Sequence, residues 1–147
     1  MSLTIHDARP DHRADWLKLW NDYLAFYSVD LAEGVTAHTW DRIIDPTSRV
    51  SARLAVLDGQ VVGFAIHHFH DSTWVKTPDC YLEDLFIDET IRGKGIGRAL
   101  IDDLISICED KGWSRLYWHT NQDNARARKL YDSYMESDGH IRYRIKF

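Results

Sequence analysis

Seven residues, Arg92-Gly93-Lys94-Gly95-Ile96-Gly97-Arg98, constrain this chain more than any other stretch. An apolar segment, Tyr81 to Ile87, precedes them, and an amphipathic one, Ala99 to Cys108, follows. That order reads strand, tight loop, helix. Glycine at every second position lets bare backbone approach a ligand and adopt positive φ. The first N–H groups of the following helix lack intrahelical partners and carry the positive end of its dipole. With Arg92, Lys94 and Arg98 added, the loop is a cradle for a phosphate-bearing ligand.

Two familiar phosphate loops do not fit. A P-loop needs Gly-Lys-Ser/Thr, and Lys94 is followed by Gly95. A dinucleotide fingerprint counted from Gly93 and Gly95 needs a third glycine where Arg98 stands. The pattern that remains, Arg-Gly-x-Gly-Ile-Gly-Arg, resembles the pyrophosphate loop of the GNAT family of N-acetyltransferases, Gln/Arg-x-x-Gly-x-Gly/Ala. Arg92, Gly95 and Gly97 fall on its defined positions. Upstream, Tyr81-Leu82-Glu83-Asp84-Leu85-Phe86-Ile87 looks like that family's central strand. Downstream, Asn124-Ala125-Arg126-Ala127-Arg128-Lys129-Leu130-Tyr131 is similar to its second signature, Asn-x-x-Ala-x-x-Leu/Phe-Tyr. The resemblance is closest over about residues 50–135, and the Tyr-Leu-Glu-Asp spelling is nearest to the polyamine and diamine acetyltransferases.

Periodicity sets out the elements. Leu3 to Ala8 reads as a strand, and Pro10-Asp11 opens a helix carrying Trp16, Leu17, Leu19, Trp20, Tyr23, Leu24 and Tyr27. Thr36 is placed to cap a short helix over Ala37 to Ile44. Ser51 to Leu57 and Val61 to His70 flank the hairpin turn Asp58-Gly59. Tyr81 to Ile87 is the next strand. A helix from about Ile96 to Asp110 buries Leu100, Leu104, Ile105 and Cys108 and stops at Lys111-Gly112. Leu116 to Thr120 is a strand, a helix runs from Asp123 or Asn124 to about Tyr134, and His140 to Phe147 alternates as a last strand. The expected fold is a single α/β (α+β) domain over residues 1–147. The resemblance implies a mixed, mostly antiparallel central sheet flanked by helices.

Composition narrows the class. The 147 residues, 44% hydrophobic with six Trp, supply one core. No apolar run reaches membrane-spanning length, and the first residues lack a signal-peptide pattern, so no membrane is expected. Two cysteines, Cys80 and Cys108, read as small core residues of a cytoplasmic protein. A net charge of −5 argues against a nucleic-acid partner.

The resemblance implies acetyl transfer from acetyl-CoA (coenzyme A) to a primary amine by direct attack in a ternary complex. It places the pyrophosphate on Arg92, Gly93, Lys94, Gly95, Ile96, Gly97 and Arg98, and the pantetheine arm on the backbone of Leu85, Phe86 and Ile87. Asn124 would contact the cofactor, and Tyr131 would act as general acid toward the sulfur. A phenol with a pKa near about 10 holds its proton at neutral pH. Tyr134, one turn on, is the competing tyrosine. A base must take the amine's proton. Adjacent strand residues point to opposite faces, so only one of Glu83 and Asp84 is expected in the cleft. The resemblance favours Glu83. Asp22, Tyr23 and Tyr27, with Asp30 and Glu33, suit a cationic amine: a small polyamine or diamine first, then an amino acid or aminoglycoside, then a protein lysine or N-terminus. Against each stands a plain reading: a core tyrosine, a solvated carboxylate. His67, His68 and His70 read as a strand-end cluster, and no metal site is expected. Family members pair or exchange final strands, which implies a possible homodimer. The alternative to an enzyme is a non-catalytic acyl-CoA-binding or sensor domain on the same fold.

Overall fold

The computed structural model describes residues 2–147. Its strands are β1 (Leu3–Asp7), β2 (Val50–Leu57), β3 (Gln60–His70), β4 (Asp79–Ile87) and β5 (Arg115–Trp118). They lie side by side in sequence order, antiparallel except that β4 and β5 run parallel. The β2–β3 turn holds Asp58 and Gly59 at φ of 50° and 84°, the doubly positive pair of a type I′ hairpin turn. A parallel pair needs a crossover, here α3 (Ile96–Lys111).

Period-two alternation divides the sheet's side chains between two cores. On one face, α1 (Arg13–Phe26) and α2 (Val35–Ile44) bury Trp16, Leu19, Trp20, Trp40 and Ile43 against Ala52, Leu54, Phe64, Ile66 and Phe86. Trp16 stacks on Trp20 with ring centroids 5.2 Å apart and leans on Trp40 at 5.0 Å. On the other face, Leu100, Ile101, Leu104 and Cys108 of α3 pack on Ala55, Val62, Ala65, Cys80 and Leu82. Both cysteines are free and buried. The last helix, α4 (Ala125–Asp132), lies beyond β5 in the chain.

Two expectations are corrected. Helix α2 begins at Val35 with Gly34 as its N-cap, and Thr36 sits inside the helix, where its Oγ1 accepts a 3.0 Å bond from Trp20 Nε1. A tryptophan N–H buried against α2 needs an acceptor, and Thr36 supplies it. The tail His140–Phe147 forms no strand and is exposed throughout. Alternation makes a strand only where an edge is there to pair with it. Within one copy β5 offers four residues, and the polar run Glu136-Ser137-Asp138-Gly139 leads the chain away.

Candidate active site

Strand β4 builds the site. It pairs with β5 only from Asp79 to Leu82. Beyond Leu82, the β4 backbone from Glu83 to Ile87 has no strand partner on that side, which leaves an open edge for an extended ligand. A cavity of about 340 Å³ opens there. Leu85, Phe86 and Ile87 line it, with every loop residue from Arg92 to Arg98, and with Asn124 and Tyr131 from the α4 region.

Gly95 and Gly97 serve this cavity in different ways. Gly95 is the N-cap of α3 at φ 74°, with no side chain capping the helix and nothing within 4 Å of where a Cβ would stand. The first N–H groups of α3 therefore face open space, a fit for a phosphate group. Gly97 lies inside the helix, and a Cβ on it would meet Leu130 Cδ2 at 3.3 Å and Ile87 Cδ1 at 3.4 Å. Its missing side chain lets α4 and β4 close on α3. Arg92 lies over the Phe26 ring at 5.5 Å. Arg98 lies over the Tyr134 ring at 5.1 Å and donates to Ser133 Oγ at 2.8 Å.

Asn124 has a structural role as well as its place in the cavity: Oδ1 caps α4 by accepting from the Ala127 N–H at 3.3 Å. Tyr131 packs edge-on to Trp118 at 5.4 Å, and its hydroxyl has no hydrogen-bond partner among the described residues. Burial pushes its pKa up to about 12, so the proton stays on Oη at neutral pH. Tyr134 lines neither cavity and donates its proton to Asp102 at 2.6 Å. The general-acid reading therefore rests on Tyr131.

A second cavity, also about 340 Å³, lies on the α1–α2 face. Trp20, Thr39, Arg42, Val50, Ile66, His68, Glu83 and Asp84 line it. Both carboxylates are present, against the expectation that only one would be. The cause is a β-bulge: Ile66 pairs with Asp84 while His67 pairs with Leu82, so Glu83 is an extra residue opposite no partner. It shifts the alternation by one and turns both carboxylates to the same face. Glu83 Oε1 lies 2.9 Å from His68 Nε2, and that hydrogen bond holds its carboxyl below the usual value. Asp84 accepts a 2.7 Å bond from the Tyr23 hydroxyl, yet burial raises its pKa to about 6. The same burial and the Asp84 charge push the Tyr23 phenol well above its ordinary value.

The other residues expected on the acceptor side are placed apart. Asp22 lines neither cavity and pairs with Lys18 at 3.1 Å on the exposed side of α1. Helical spacing explains this, because Asp22 sits next to the inward-facing Tyr23. Tyr27 lines the cavity of the glycine loop, and Tyr23 supports Asp84 from α1. Asp30 and Glu33 are exposed. Of the histidines, His68 is a partner of Glu83, and His70 and His119 bond to the hydroxyls of Tyr117 and Tyr81 at 2.7 and 3.0 Å. Among the described residues no group of three metal-ligating side chains forms. Arg42 and Thr39 line this second cavity, and the sequence reading singles out neither. Their only signal is a spacing of three on an amphipathic helix.

The model of the Acetyltransferase (GNAT) family matches residues 6–135. The chain belongs to the GNAT family. D-amino-acid N-acetyltransferase HPA3 of Saccharomyces cerevisiae is 33% identical over 131 residues, 88% of this chain and 81% of that protein. Thialysine N-epsilon-acetyltransferase of Bos taurus is 39% identical over 71 residues, 48% of this chain and 41% of its own length. Among solved structures, a ribosomal-protein-alanine N-acetyltransferase from Brucella melitensis biovar Abortus 2308 superposes with a TM-score of 0.84 at 22% identity. It covers 99% of this chain, and this chain covers all of that one. AAC(6')-Iy in complex with the bisubstrate analog CoA-S-monomethyl-acetylneamine gives 0.82 at 20% identity, over 100% of this chain and 99% of that one. These likenesses show the fold. This GNAT protein is an acetyl-CoA-dependent N-acetyltransferase that acts on amines. Among the described residues no helix is long and apolar enough to cross a membrane.

The residues present fit acetyl-CoA. The uncapped N-terminus of α3 with Arg92, Lys94 and Arg98 suits its phosphates, and the free edge of β4 suits its pantetheine amides. When bound, it supplies an acetyl group activated as a thioester.

Proposed function

We propose that this enzyme acetylates the primary amine of a small molecule held in the cavity between α2 and β4. One observation carries the reading. Consecutive residues of β4 line the two cavities, Glu83 and Asp84 the one and Leu85 to Ile87 the other, so the bulge stands where acceptor and acetyl donor meet. A small-molecule acceptor is supported by the walls of the cavity: Trp20, Thr39 and Arg42 cover it from the helices and Val50, Ile66 and His68 from the sheet.

The roles divide by position. Asp84 and Glu83 draw in an ammonium group. Glu83 Oε1, bonded to His68, takes the proton the amine must lose, directly or through water. Tyr131 Oη gives a proton toward the departing sulfur, so the products are an amide and a free thiol. Its high pKa keeps that proton in place until charge develops. Arg92 to Arg98, Asn124 and the free β4 backbone hold and orient the donor.

The test is thiol release from acetyl-CoA against polyamines, amino acids, aminoglycosides and lysine peptides, with wild type and Tyr131→Phe. Turnover is expected with a small-amine class. Tyr131→Phe should cut kcat by about 10²- to 10⁴-fold and leave CoA affinity by calorimetry nearly unchanged. Turnover with peptides alone would refute the small-molecule reading. An unchanged kcat in the variant would refute the acid.

We further propose that the enzyme is a cytoplasmic homodimer paired through its tail. Two features support the dimer: Ile141, Tyr143, Ile145 and Phe147 alternate along an exposed segment, and β5 is a free sheet edge. Light scattering should give a dimer for the full chain and a monomer for a chain ending at Glu136. The buried free thiols of Cys80 and Cys108 suit a reducing compartment.

A further inference from the structure

Arg42 is a cation of the acceptor cavity that makes no ion pair among the described residues. It stands in the last turn of α2, one turn after Thr39, and lines the cavity with Glu83, Asp84 and His68. Among the described residues it makes no ion pair, and its one side-chain hydrogen bond is the long 3.5 Å contact from Nη2 to Thr39 Oγ1. It is near enough to Glu83 to help lower that carboxyl's pKa, yet the hydrogen-bond partner of Glu83 is His68. The other cavity groups are engaged, His68 with Glu83 and Asp84 with Tyr23. A guanidinium fork without a carboxylate, in a cavity that also carries two carboxylates, is complementary to a molecule with both charges. A polyamine would meet the carboxylates but would set an ammonium against Arg42.

We propose that Arg42 selects the acceptor by binding its carboxylate, so that the substrate class is an amino acid whose amine faces Glu83 and Asp84. The proposal rests on the reading of this cavity as the acceptor site. Two pairs of probes differ only by the carboxylate: lysine against cadaverine, and ornithine against putrescine. With wild type, kcat/KM for each amino acid, in one or both enantiomers, should exceed that of its diamine by at least about tenfold. Arg42→Gln should lower that ratio by about 10- to 100-fold, chiefly through KM for the amino acid, and Arg42→Lys should restore part of it. A loss confined to KM and recovered by lysine is not what a merely structural role would give.

Equal use of both members of each pair by wild type would overturn the proposal. So would no turnover of any carboxylate-bearing amine, or an unchanged ratio in Arg42→Gln. Glu83→Gln separates the two levels of the reading. If it removes turnover of every amine while Arg42→Gln leaves the ratio alone, only the carboxylate anchor fails. If it leaves turnover intact, the role of Glu83 in the proposed function fails with it.

Discussion

His67 is the buried side chain whose ionisation should govern stability in mild acid. It lies on the α3 face of β3, 4% exposed, with Nε2 lacking any partner and Nδ1 3.9 Å from Cys80 Sγ. The charged groups near enough to act on it are Arg53, Asp103 and Asp7, with His68 beside it in the strand on the opposite face. Burial dominates and Arg53 adds to it, so the imidazole falls from 6.5 to about 4. The unfolded chain therefore binds this proton first. The contribution is present in full above the unfolded value of 6.5 and is lost as pH falls toward about 4. The whole gap corresponds to about 3 kcal/mol, and between about pH 7.5 and about pH 5 the loss is about 2 kcal/mol. Asp84, with its pKa raised to about 6, acts in the opposite sense, since its penalty is relieved as pH falls.

A difference measurement removes Asp84 and the surface carboxylates. Wild type and His67→Leu are unfolded in urea at both pH values, and the change in ΔG is compared within each protein. Leucine is apolar and close in size, and any constant packing cost cancels. Wild type should lose about 2 kcal/mol more than the variant on going to the lower pH. Equal losses would refute the argument, because His67 would then be solvated or partnered in the folded chain.

Two further outcomes follow from the site. Gly97→Ala should be nearly neutral, because its Cβ meets only the ends of Leu130 and Ile87 and alanine favours the helix. Gly97→Val should cost about 1–3 kcal/mol in urea unfolding and raise KM for acetyl-CoA, since α4 must move off α3. The pKa of about 6 at Asp84 sets the pH dependence of acceptor binding: KM for a cationic amine should fall as pH rises through 6, and Asp84→Asn should flatten that profile.

Features with a local cause were legible in the sequence. The glycine loop, the Asp58-Gly59 hairpin and the Gly112 stop each state a backbone requirement within a few residues, and Gly93, Gly95, Asp58, Gly59 and Gly112 all take positive φ. Features that depend on a partner were not. Thr36 carries the right side chain for a cap, but Trp20 from another helix claims it. The tail carries the right alternation for a strand, but the described chain brings no edge to it. Arg42 is one basic residue on a short helix, and only the packing of α2 over β2 to β4 makes it part of a cavity. Asp22 is placed apart for a related reason, since one step around a helix separates it from Tyr23 and the polar residue turns outward to Lys18.

The bulge at Glu83 is the least legible feature and the one on which most depends. Before it, Cys80 and Leu82 face α3; after it, Phe86 faces α1, while Leu85 and Ile87 pack on the α3 side. Strict alternation from Leu82 would have sent Asp84 and Phe86 to the α3 core and Leu85 to the face covered by α1 and α2. One inserted residue reverses that phase. It places a second carboxylate beside the first and presents Phe86 to Tyr23 at 5.6 Å. The pairing of β4 with β5 ends at Leu82, the residue before the bulge, as expected where an extra residue bends a strand and increases its twist. The same local event thus gathers two carboxylates on one face and leaves the β4 backbone edge beyond Leu82 unpaired. Its cause lies in the fit of β4 to β3, where Ile66 takes Asp84 and His67 takes Leu82, and no pattern within β4 alone records it.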